Sequence, residues 1–165
     1  MADPLGGIAG VDRHDHRTGP GDGPHREPAV DPDPVDPSPS VPSSYEQRVV
    51  ELVNQERARN GLGALTMNNK LSDVARLKSE DMRKNGYFSH TSPTYGSPFD
   101  MMRQFGISYR SAGENIARGQ RTPEEVVQAW MDSPGHRANI LGASYTQIGV
   151  GYLASGNYWT QMFIG

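Results

Sequence analysis

The chain has no cysteine in its 165 residues. Thiol nucleophiles, thiolate metal ligands and disulfides are therefore excluded, and acid–base or metal chemistry falls to histidine and carboxylate side chains. Three of the five histidines, His14, His16 and His25, lie in a proline-rich tail. His14-Asp15-His16 has the residue types of a loose metal clamp, but the simpler reading is solvated side chains. His90 and His136 remain. His90 stands in GYFSHTSP, among small polar residues that suit a loop. Loops concentrate functional residues, and surface histidines are common there too. His136 stands in SPGHRANIL, where Ser133 can cap a short helix opened by Pro134. A histidine in that first turn feels the positive end of the helix dipole, which favours the neutral imidazole that binds metals or accepts a proton. The competing account is that it locks the turn by bonding a nearby carbonyl. Glu114, in AGENIA, is an acid in a small, apolar run followed by Asn115. If buried it needs a partner, and if exposed it is a surface carboxylate or a backbone cap.

Familiar catalytic patterns are missing. The chain has no phosphate-cradling glycine loop, no His-Glu-x-x-His helix and no Gly-x-Ser-x-Gly elbow. Ser89 and Ser133 neighbour the histidines in sequence, but a triad is recognised by geometry and not by adjacency.

The elements that must position these residues are legible from Tyr45 onward. YEQRVVELVNQERARNG carries Val49, Val50, Leu52 and Val53 on one helical face, with Ser43 or Ser44 to cap it and Gly61 beyond its end. A second helix is predicted over NNKLSDVARLKSEDMRKNG, where Leu71, Val74, Ala75, Lys78 and Met82 keep a three-four spacing and Gly86 supplies a left-handed stop. Ser97 and Pro98 open a short third helix, and TPEEVVQAWMD opens a fourth with Thr122, Pro123 and a Glu125 capping box. YTQIGVGYLA and YWTQMFIG, joined by Ser155-Gly156-Asn157, form a predicted hairpin. Gly149 and Gly151 lie on one side of its first strand, so a helix or Trp130 is expected to pack close there. Helices followed by antiparallel strands indicate an α+β class.

Residues 1–44 differ in texture. They hold nine of thirteen prolines and eight acidic against three basic side chains, a net of −5 that leaves +2 for residues 45–165. The expectation is a disordered Pro/Gly/Asp-rich tether over 1–44 and one domain over 45–165. No Lys/Arg-rich block suggests a nucleic-acid surface, and no apolar run is long enough to cross a bilayer. Met1-Ala2-Asp3-Pro4 does not open a signal peptide, which leaves a cytoplasmic protein or one whose export signal has been removed.

Several segments in order, LVNQERARNGLGAL, ARLKSEDMRKNGYFSH, GENIA, VVQAWMDSPGHRANIL, YTQIGVGY and WTQMFIG, resemble the CAP superfamily of cysteine-rich secretory, antigen 5 and pathogenesis-related 1 proteins, also called SCP-like extracellular domains. The likeness is greatest to its cysteine-free bacterial branch of the YkwD type and covers residues 45–165. It implies a three-layer α-β-α sandwich around a small antiparallel sheet, and a secreted or cell-envelope location. It also implies a cleft that in many relatives holds two histidines and two glutamates and in some binds a divalent metal. The first histidine and first glutamate of that tetrad map onto His90 and Glu114. The other two positions depart, carrying Ser133 and Ser144, and His136 is expected to enter the cleft as a replacement.

Two functions follow from the resemblance. One is a noncatalytic, monomeric module whose cleft of His90, Glu114, His136, Asn115 and Ser133 engages a cell-envelope, lipid or peptide ligand and requires no cofactor. The other is a hydrolase in which His90 and His136 hold zinc or another divalent metal and Glu114 is the catalytic acid–base residue. The missing nucleophile, incomplete tetrad and absent metal motif favour the first.

Overall fold

The computed structural model describes residues 8–12 and 42–165. Five helices are α1 (Ser44–Arg59), α2 (Asn69–Asn85), α3 (Pro98–Gln104), α4 (Pro123–Met131) and α5 (Pro134–Ile140). The strands are β1 (Ile8–Asp12), β2 (Thr66–Met67), β3 (Ala112–Arg118), β4 (Gln147–Leu153) and β5 (Tyr158–Ile164). Local chemistry sets most helix ends. Ser43 and Glu46 form a capping box at α1, Asn68 and Ser97 cap α2 and α3, and Gly86 ends α2 in the left-handed region at φ 65°. At α4, Thr122 accepts the Glu125 amide, while the Glu125 carboxylate takes the Arg121 N–H one residue ahead of the cap.

The strands form one sheet in the order β1-β3-β5-β4-β2. β3, β5 and β4 are antiparallel, as expected, whereas β1 and β2 lie at the edges as parallel strands. Side-chain alternation divides the core. Ala117, Ile148, Val150, Trp159 and Phe163 face α1, α4 and α5, and Ala112, Met162 and Ile164 face α2 and α3. The result is an α+β, three-layer sandwich. The Gly149 and Gly151 face is covered by α2, not by Trp130, which packs on the opposite side. A Cβ on Gly149 would stand 2.6 Å from Ser72 N, and one on Gly151 would collide with Arg76 N, so the helix backbone touches the strand directly.

Where β2 stops, side chains complete the β4 edge. Val150 N–H donates to Ser72 Oγ at 3.0 Å and Tyr152 N–H to Glu46 Oε2 at 2.8 Å. Glu46 is in turn held by Arg76 at 2.8 Å. An outward row of amides is thereby satisfied by the domain's own helices.

The opposite edge is covered by β1. Within the proline-rich N-terminal segment, Ile8–Asp12 pairs with β3 from Ile8↔Glu114 to Asp12↔Arg118. IAGVD is proline-free and apolar up to its final Asp12, between Pro4 and Pro20, and so can supply a ladder. The rest of the expected tether through Val41 lies outside the described residues. Among the described residues no helix is long and apolar enough to cross a membrane.

Gly151→Ala is expected to cost about 2–3 kcal/mol by forcing α2 off the sheet. Thermal unfolding should show Tm lowered by roughly 10 °C, and an unchanged Tm would show that the contact yields freely.

Candidate functional site

Glu114 leaves the middle of β3 on the α2 face and is wholly buried. Its carboxylate is enclosed by two partners. His90 Nδ1 lies 2.7 Å from Oε1, and Lys78 Nζ lies 3.5 Å from both oxygens. Lys78 also donates to the His90 carbonyl at 2.6 Å and is itself wholly buried. Because the carboxylate accepts, the proton of this contact belongs on His90 Nδ1, and Nε2 is the ring nitrogen left for another partner. The His90 side chain is 21% exposed, so this ring is the part of the trio that reaches solvent.

A second carboxylate positions the His90 loop. Asp81, one turn beyond Lys78 on α2, accepts from Ser92 Oγ at 2.6 Å, Thr94 Oγ1 at 2.8 Å, Asn85 Nδ2 at 2.7 Å and the Tyr87 hydroxyl. Ser92 Oγ then accepts the Thr94 and Tyr95 amides, each at 2.9 Å. Residues 86–96 thus hang from one acid. Burial opposes its ionisation, but the bonds from Ser92, Tyr87, Thr94 and Asn85 outweigh it and hold the carboxyl below its ordinary 3.8. Burial and the bond to Asp81 push the Tyr87 hydroxyl upward.

The remaining expected residues form a separate group on the other face of β3. Asn115, the next residue along, points to α5 because successive strand side chains alternate. Its amide donates to the His136 carbonyl at 3.1 Å and to Gln161 Oε1 at 3.0 Å. Asn139 Nδ2 donates to Asn115 Oδ1 at 2.9 Å and to the Glu114 carbonyl at 3.2 Å. Ser133 occupies the N-cap position of α5 without capping it, and its Oγ instead lies 2.7 Å from His136 Nδ1. Arg57 anchors the far end of α5 through the Ile140 and Gly142 carbonyls, at 2.8 and 2.9 Å.

Hydrogen bonds join the five expected residues in two groups, His90 with Glu114 and His136 with Ser133 and Asn115, and Asn139 links them through the Glu114 carbonyl and Asn115 Oδ1. Among the described residues no three His, Cys, Asp or Glu side chains gather within reach of one metal ion. The donor set also does not suit zinc at Glu114, since His90 Nδ1 is committed to the carboxylate and the Lys78 ammonium already stands at both oxygens. Lys78 is a buried partner of Glu114 that the sequence-based site does not include. Its signal was a lysine on the apolar face of α2, where a charge must find a partner. A cavity of about 560 Å³ opens elsewhere, between Phe99 of α3 and residues 106–110, and none of the expected site residues lines it.

A family model described as the cysteine-rich secretory protein family, CAP, matches residues 50–163. This chain belongs to the CAP family. It is 62% identical over 128 residues to YkwD of Bacillus subtilis, covering 78% of this chain and 50% of that protein. It is 37% identical over 124 residues to the membrane protein YlbC of the same bacterium, covering 75% and 35%. The chain thus spans half or less of the curated relatives it matches. Among solved structures, an extracellular protein with an SCP domain from Bacillus anthracis superposes with TM-score 0.70 at 38% identity, over 73% of this chain and 40% of that one. An outer surface protein of Borrelia burgdorferi shares the fold at TM-score 0.66 and 21% identity, over 72% and 90%. These CAP neighbours are extracellular or surface proteins.

In this CAP domain, Glu114→Gln or Lys78→Met alone is expected to cost about 3–5 kcal/mol, since each strands a buried charge. The double variant should recover most of that loss, and denaturant unfolding of the four chains checks the coupling. Asp81 gives a pH signature. Its stabilisation is complete above the ordinary carboxyl value and disappears as pH falls through the lower folded value. Asp81→Asn should flatten the acid limb of a stability profile below about pH 4, and an unaltered limb would remove Asp81 from the account.

Proposed function

We propose that this chain is an exported CAP domain that acts as a monomer and binds a cell-envelope, lipid or peptide ligand without transforming it. The observation that carries this reading is the enclosure of Glu114. A carboxylate with no exposed surface, held between Lys78 and His90, cannot touch a substrate. Its role is to orient the His90 ring and set its tautomer, which leaves one directed imidazole face for a polar group of a ligand. Asp81 serves the same end by fixing the loop that carries the ring. The extracellular relatives support an exported location.

The same dyad favours a second reading, hydrolysis in which His90 acts as general base and Glu114 orients it. This reading no longer uses Glu114 as the group that meets substrate, and no step in it passes through a metal.

The test is retention of sacculi, lipid vesicles and a peptide library by the full chain and by His90→Ala. One class should be retained and its affinity reduced about tenfold or more in the variant, equivalent to about 1.4 kcal/mol, measured well below the variant's own Tm. Retention indifferent to His90 would overturn the site. Release of a chemically altered ligand that depends on His90 would instead establish the hydrolase. A zinc-induced rise in Tm that His90→Ala removes would restore a metal role.

A further inference from the structure

The two edges of the sheet are protected by different means. On β4, the outward amides of Val150 and Tyr152 are satisfied by Ser72 and Glu46, side chains of helices that cannot leave without unfolding the domain. On β3, side chains supply only donors. Asn139 Nδ2 serves the Glu114 carbonyl at 3.2 Å and Trp130 Nε1 the Ile116 carbonyl at 3.2 Å. Among the described residues no side-chain acceptor reaches the amides of Glu114 or Ile116, which have the same parity and point outward with those carbonyls. That edge still requires a row of backbone acceptors, and a strand provides one. β1 is that strand.

β1 is joined to α1 only through residues 13–43, a segment rich in proline and acid. It also lies outside the part of the chain matched to the CAP family, residues 50–163. Its parallel register places the apolar Ile8, Ala9 and Val11 along Glu114 to Ala117 and sets Asp12 at the position of the cationic Arg118. From this we propose that the outer edge of β3 is an acceptor for an extended peptide added in parallel. Ile8–Asp12 is its intramolecular occupant, and a short, proline-free apolar segment ending in an acid, supplied by another chain, takes the same place. Such a tether presents its segment at an effective concentration on the order of millimolar, which masks the edge against a competing peptide by roughly 10- to 100-fold. This inference stands on backbone pairing and does not require the His90 site to bind anything.

The test compares the full chain with an Ala9→Pro/Gly10→Pro variant, which removes a ladder amide from whichever of the two residues faces β3. The probe is a fluorescent synthetic peptide, LGGIAGVDRH, with the sequence of residues 5–14, followed by anisotropy. The variant should bind it at least tenfold more tightly than the unaltered chain, and a peptide carrying the same two prolines should not bind. Amide exchange at Glu114 and Ile116 should accelerate in the variant while Val150 and Tyr152 are unaffected. His90→Ala should leave peptide binding unchanged, which separates this proposal from the ligand reading above. Equal affinity in both chains, binding by neither, or unaltered exchange at Glu114 and Ile116 overturns it. A concentration-dependent dimer of the unaltered chain would assign the strand to a second copy and overturn the intramolecular form.

Discussion

The structure depends on the direct seating of α2 on β4. Gly149 and Gly151 remove the side chains that would hold a helix at ordinary distance, and the α2 backbone descends to contact them. That approach lets short side chains do work that would otherwise need long ones. Ser72 reaches a strand amide, and Ser79 joins the Gly151 carbonyl to Thr160 at 3.0 and 2.9 Å. From the same helix, Lys78 reaches across to β3 and Asp81 reaches back to the following loop. The chemistry of the His90 site is a consequence of how low this helix sits.

Burying Lys78 and Glu114 together is a poor way to gain stability, because desolvating both charges cancels much of their attraction. What the arrangement does gain is definition. A carboxylate flanked by an ammonium and an imidazole has one arrangement that leaves no charge stranded, so the orientation of His90 is inherited from the core. The loop acid Asp81 adds a second constraint from the other side. A polar ring presented in this way suits recognition, where preorganisation reduces the entropy lost on binding.

The two sheet edges extend the same logic to the backbone. Glu46 and Ser72 close one edge permanently, while the other is closed by a strand that is distant in sequence. A fold that completes one edge with its own core and the other with a tethered segment has a fixed side and an exchangeable one.

Local chemistry was readable wherever it needs only neighbours. The sequence by itself determined the helices with most of their caps, the C-terminal hairpin and the close approach over Gly149 and Gly151, because caps, turns and periodicity are properties of contiguous residues. β3 was not legible as a strand, since Ala112–Arg118 shows no regular apolar–polar alternation and few β-branched or aromatic residues, and its place is set by β5 and β1 on either side. Lys78 looked like one more position on a helical face until Glu114 was placed beneath it. Tertiary structure alone decided that Glu114 and Asn115 serve opposite faces of the sheet. It also decided that Ile8–Asp12 joins the sheet, since a strand's partners and the side its residues face are set by what packs against it and not by its own composition.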